Sequence, residues 1–151
     1  MSKKFLVAID GSDQAWKALD LATDLAKSSE AELLILHVVP FELMPRGLEE
    51  LAVIERIPIP EERARYHANR QIGDKIASEA EARVRKHGLT RVTTEVLEGK
   101  PAEEIIALAK SRDVDMVICG SHGFGDVKSL LMGSVSHKVM HLAPCTCVAV
   151  K

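Results

Sequence analysis

One stretch of this chain concentrates residues able to hold an anion. Cys119 is followed by Gly120-Ser-His-Gly123, then Gly125, and nine residues separate Gly123 from Gly133-Ser134-Val135-Ser136. Glycine lets backbone amides approach a phosphate with no Cβ in the way, and it tolerates positive φ. Gly133 to Ser136 reads as the opening of a helix. The first amides of a helix lack intrahelical partners and point outward, which makes a phosphate site, and the hydroxyls of Ser134 and Ser136 would add donors. The same strand, glycine loop and helix also occur in α/β proteins that bind nothing, so spacing alone leaves phosphate binding open. Asp10, at the end of an apolar run, reads either as a ligand contact or as a turn residue.

Other chemistry finds less support. There is no Gly-x4-Gly-Lys-[Ser/Thr] loop and no Gly-x-Ser-x-Gly nucleophile motif. A receiver domain needs an acidic pair after the first strand, an aspartate after the third and a lysine after the fifth. Here the third strand ends in Glu98-Gly99-Lys100. His137 and His141 stand at i, i+4, a spacing that can bind metal, but nothing nearby in sequence completes a site, which favours a surface or interface role. His122 reads as a phosphate donor, a dimer contact or a plain loop residue. Lys128 could reach a phosphate tail or simply be solvated. Cys145-Thr-Cys147 reads as small residues entering a buried strand rather than a metal or redox pair, and Trp16 as packing.

The elements that must position these residues alternate strand and helix, which argues for an α/β domain with a mainly parallel sheet. Strands are expected at Phe5–Ile9, Leu33–Val39, Val92–Leu97, Met116–Cys119 and Thr146–Val150. Ser12 or Asp13 caps a helix carrying Ala15, Leu19, Ala22 and Ala26 at helical spacing. A long helix over about 61–87 stops at Gly88, with Ile72, Ile76, Ala80 and Val84 on its buried face. Pro101 starts another, with Glu103 and Glu104 in its first turn and Ile105, Leu108 and Ala109 facing inward. Residues 40–60, with four prolines and Gly47, read as a loop with a short helical piece. In open sheets of this kind ligands bind beyond the carboxyl ends of the strands.

A chain of 151 residues suits one domain, expected over 1–151. A net charge of -2 argues against a broad nucleic-acid footprint. The apolar run after Lys3 and Lys4 is too short for a signal peptide, and no stretch approaches a membrane span, so a cytoplasmic protein without membrane insertion is expected. Three cysteines without a secretion signal suggest reduced thiols.

Gly120-x2-Gly123-x9-Gly133-Ser134 resembles the G-x2-G-x9-G-[ST] pattern of ATP-binding universal stress proteins. Val7-Ala8-Ile9-Asp10-Gly11-Ser12 and His37-Val38 are similar to that family too, and the resemblance runs along essentially the whole chain. It implies a Rossmann-like five-stranded parallel sheet of order 3-2-1-4-5 with helices on both faces. It implies ATP, with Mg2+, as ligand. Gly120, Gly123, Gly133 and Ser134 would cradle phosphates and ribose, and Val135 and Ser136 would continue the phosphate contacts. Asp10 would reach the nucleotide. Ala8 and Val38 would line the adenine slot, the Val38 backbone reading the base edge. Ala8 stands where some members carry proline, which alters slot shape and not chemistry. The resemblance further implies a homodimer through the C-terminal strand. The function expected is a nucleotide-dependent sensor or signalling protein in the stress response, in which bound ATP orders residues 121–132 and an unidentified protein partner reads the ordered surface. Two rivals stand beside it: a dimeric interaction module indifferent to nucleotide, and a slow ATPase or autophosphorylating protein with Ser134 or Ser136 as acceptor.

Overall fold

A computed structural model describes residues 2–40, 54–56, 60–123 and 132–151, with the side chains of 60–65 excepted. Gly125, Lys128 and most of the expected 40–60 loop lie outside the described residues. The strands are β1 (Lys4–Ala8), β2 (Glu32–Pro40), β3 (Val92–Gly99), β4 (Met116–Gly120) and β5 (Thr146–Val150). The helices are α1 (Asp13–Ser29), α2 (Pro60–Lys86), α3 (Pro101–Ser111) and α4 (Ser134–Leu142). All five strands are parallel, in the order β3-β2-β1-β4-β5. The expected sheet order is therefore the observed one.

The continuously apolar strands follow from burial on both faces. Because side chains alternate along a strand, Phe5 and Val7 of β1 join Leu33 and Ile35 of β2 on one face, beneath α1 and α2. Leu6 joins Leu34, Leu36 and Val117 on the other, beneath α3 and α4. Ala15, Leu19, Ala22 and Ala26 are all buried, as their spacing predicts. Small alanines keep α1 close to the sheet. Trp16 packs at the margin of this core, its ring 5.8 Å from the Arg83 guanidinium, which also holds Asp20 at 2.7 and 2.8 Å.

Local signals set the helix ends. Ser12 caps α1, its Oγ accepting from the Ala15 amide at 3.3 Å. Pro101 opens α3, with Glu103 and Glu104 in the first turn. After α2, Gly88 takes a φ of 92° that a side chain would strain. One expectation for α2 fails. Ala80 and Val84 are buried, but Ile72 is 56% exposed. The buried stripe of α2 runs through Gly73, Ala77, Ala80 and Val84, so Ile72 lies beside it, on the wall of the cleft described below.

Candidate nucleotide site

The carboxyl ends of β1, β2 and β4 surround a cleft of about 480 Å³, within the roughly 300–1,000 Å³ typical of small-molecule sites. Ala8, Asp10, Val38, Gly120, Gly123, Ser134, Val135 and Ser136 all line it. Four separate elements thus bring eight of the nine residues singled out in the sequence to one cavity. Gly133 stands one step behind.

β1 delivers Ala8 and Asp10. The ladder continues past its end, the Ile9 amide donating to Leu36 O at 2.9 Å. Asp10 then shapes the turn, its Oδ1 accepting from the Ser12 amide at 2.9 Å and from Ser12 Oγ at 2.5 Å. The turn function and a place on the cleft are both real for this carboxylate.

β2 delivers Val38, 8% exposed, and His37 beside it. His37 Nδ1 lies 2.8 Å from Ile9 O. A carbonyl can only accept, so Nδ1 carries the proton. Across from this ring lies Gly73, inside α2. A Cβ there would come within 2.8 Å of His37 Cδ2 and 2.9 Å of Nε2. Only glycine lets α2 approach this closely, and α2 then contributes Asn69, Ile72 and Ile76 to the cleft.

β4 delivers Gly120, where a Cβ would stand 3.2 Å from the Gln14 carbonyl carbon and 3.2 Å from His122 O. This glycine admits the start of α1 against the strand end. Ser121, only 2% exposed, is a junction. Its amide donates to Val150 O at 2.7 Å, and its carbonyl accepts from the Gly133 amide at 2.6 Å. Gly133 is the N-cap of α4 and supplies no capping side chain. Among the described residues, the first amides of α4 therefore have neither an intrahelical acceptor nor a side-chain cap, and this end of the helix faces the cleft.

The two serines differ. Ser134 is exposed. Ser136 is 3% exposed, and its Oγ donates to Ser121 O at 2.8 Å and Gly133 O at 3.1 Å. A hydroxyl has one proton, so here that of Ser136 braces the backbone and is not an added donor, contrary to the reading of the sequence. The Ser136 amide remains among those at the helix start.

Cys119 also lines the cleft, and burial pushes its thiol up to about 11. Burial raises Cys145 and Cys147 as well. Thiols held neutral are poor nucleophiles and poor metal ligands, which fits the packing role expected of the pair. Among the described residues no group of three or more His, Cys, Asp or Glu is placed to hold a metal ion. His137 and His141 pack edge to face on α4, centroids 4.5 Å apart.

Gln14, Ser121, Asn69 and Gly73 were not singled out in the sequence. A glycine inside a helix costs about 1 kcal/mol against alanine, so Gly73 carried a signal of close packing. Nothing in the spacing pointed to Gln14.

The whole chain, residues 1–151, matches the universal stress protein family. It is 37% identical to universal stress protein YxiE of Bacillus subtilis (strain 168), with all of both chains covered. It is 35% identical, again over all of both chains, to a Thermus aquaticus universal stress protein encoded in a QAH/OAS sulfhydrylase 3′ region. Universal stress protein UspA from Lactobacillus plantarum has the same fold, with a TM-score of 0.83, 22% identity and coverage of 99% and 97% of the two chains. So do a universal stress protein in complex with cAMP (TM-score 0.72, 22% identity, coverage 99% and 97%) and one from Archaeoglobus fulgidus in complex with dAMP (TM-score 0.66, 18% identity, coverage 100% and 98%). This chain belongs to the universal stress protein family.

Proposed function

We propose that the cleft binds an adenine nucleotide, ATP carried with Mg2+, and that occupancy makes the protein a nucleotide-dependent sensor or signalling component of a stress response. One observation carries this reading: an apolar slot at the ends of β1 and β2 faces the N-terminus of α4, whose N-cap is the glycine Gly133, across a single cleft. The slot suits a base, and the helix amides suit phosphates. Ala8 and Val38 line the adenine part, with the Val38 backbone at the base edge. Asp10 reaches the nucleotide from β1. Gly120, Gly123 and Gly133 let the backbone come close to phosphates and ribose, and Ser134, Val135 and Ser136 present the amides. The ligand's own phosphates hold the divalent ion. The complexes of family neighbours with cAMP and dAMP support an adenine ligand.

The C-terminal strand supports a homodimer. Among the described residues β5 pairs with β4 alone, so its outer edge has no strand partner there, and Cys147 to Val150 are half-buried. A long apolar edge is normally paired or covered. This edge is also the feature that favours the second reading, a dimeric interaction module without nucleotide. Should the protein phosphorylate itself slowly, Ser134 is the accessible acceptor, because Ser136 is buried with its proton engaged.

Thermal unfolding with and without Mg-ATP tests the nucleotide reading. Ligand at about 100 times its dissociation constant adds roughly 2.7 kcal/mol, a midpoint rise of roughly 5–10 °C for a chain of this length. The rise is expected to vanish in a Gly123→Ala, Gly133→Ala variant. No rise in protein shown free of co-purified nucleotide would overturn the reading in favour of the interaction module.

A further inference from the structure

The start of the glycine loop is held from a distance of more than a hundred residues in sequence. Gln14 Oε1 lies 2.7 Å from the His122 amide nitrogen and 3.1 Å from Ser121 Oγ. The His122 amide can only donate, so the Gln14 atom facing it is the carbonyl oxygen, and the Ser121 hydroxyl donates to the same oxygen. For that hydroxyl the other acceptor nearby is His122 Nδ1, at 3.2 Å. Gln14 is the second residue of α1, and α1 is locked against β4 by the close approach at Gly120. The Ser121 carbonyl is meanwhile bonded to the Gly133 amide and the Ser136 hydroxyl. The chain therefore enters Gly123 with its direction fixed relative to the first turn of α4.

We infer that Gln14 is a positioning residue for the phosphate end of the cleft: its side-chain oxygen fixes Ser121 and His122 so that the Gly123 backbone and the amides of α4 face one ligand together. This rests on the nucleotide reading and adds a division of labour to it. The base slot is built by β1, β2 and α2, none of which Gln14 holds. The phosphate end is built by the segments on either side of the glycine loop, and Gln14 holds the first of them. An amide acceptor suits the task. It satisfies two donors while bringing no negative charge toward a phosphate.

The test is calorimetric titration of ATP and of adenosine into the intact wild-type protein and a Gln14→Met variant, which keeps the length of the side chain and removes the acceptor. ATP affinity should fall about tenfold, the order expected when two buried or half-buried donors lose a shared acceptor. Adenosine affinity should stay within about twofold. Amide hydrogen exchange at His122 should quicken in Gln14→Met and slow again in Gln14→Glu, whose carboxylate accepts the same two bonds. Undiminished ATP affinity in Gln14→Met would overturn the assignment, as would equal losses for ATP and adenosine, which would mark a general loss of structure. Wild-type protein that binds neither ligand would overturn the nucleotide reading and the assignment with it, whereas wild-type binding with an indifferent variant overturns the assignment alone.

Discussion

Cys119 illustrates how a single side chain sets a measurable property. Its thiol lies at the end of β4, 5% exposed, and burial pushes its pKa up to about 11. The folded state favours the neutral thiol, so folding gains stability that is complete below the unfolded thiol range. That gain disappears as pH rises from about 9 through about 11. The loss amounts to about 2–3 kcal/mol, with Cys145 and Cys147 adding in the same direction. Denaturant unfolding at pH 8 and pH 10.5 should show a smaller loss in Cys119→Ala than in the wild type. Equal losses would place the alkaline instability elsewhere. The residues of the cleft were legible to different degrees. Ala8, Asp10, Val38 and the glycines announced themselves by type and spacing near strand ends. Gln14 did not, because its role depends on a hydrogen bond to residue 122 that no local pattern encodes. Ser136 was legible as a member of the site, but where its proton points depends on the fold of the loop.

Elements were easier to read than the faces they bury. Short apolar runs marked all five strands to within a residue or two, because β1, β2 and β4 are covered on both faces. The period of α2 was equally clear. What a spacing of four cannot say is which of two neighbouring stripes meets the sheet, and α2 presents Gly73 and Ala77 there, with Ile72 beside them. The meeting of α2 and β2 at Gly73 makes a test at this scale. An alanine in a helix interior gains about 1 kcal/mol over glycine. Here its Cβ would press on His37, whose ring cannot swing away without leaving Ile9 O unpaired, and on Val39 Cγ2 at 3.0 Å. Overpacking of this kind costs about 1–3 kcal/mol, so Gly73→Ala should lower the urea midpoint. A variant at least as stable as wild type would mean that α2 shifts outward freely. In that case the α2 wall of the cleft is soft.

At the scale of the whole molecule, the sheet order was legible through family resemblance and not through composition, since alternating strands and helices are compatible with several orders. The observed order puts β3 and β5 at the two edges. If the outer edge of β5 is closed by a second chain, sedimentation equilibrium at micromolar concentration should give twice the chain mass. A clean monomer would leave that edge bare and remove the dimer from the proposal.

The central place of β1 has a consequence for synthesis. β1 pairs with β2, which follows it closely in the chain, and with β4, whose residues begin at Met116. On a ribosome adding roughly 5–20 residues per second, the first strand acquires one neighbour early and waits several seconds for the other. During that interval an apolar strand presents a bare edge, and the cleft lacks the wall that β4 and α4 supply. The nascent chain is thus most exposed to aggregation and to chaperones at the strand that ends as the most protected in the mature sheet. No ligand can assist before the last third of the protein has emerged.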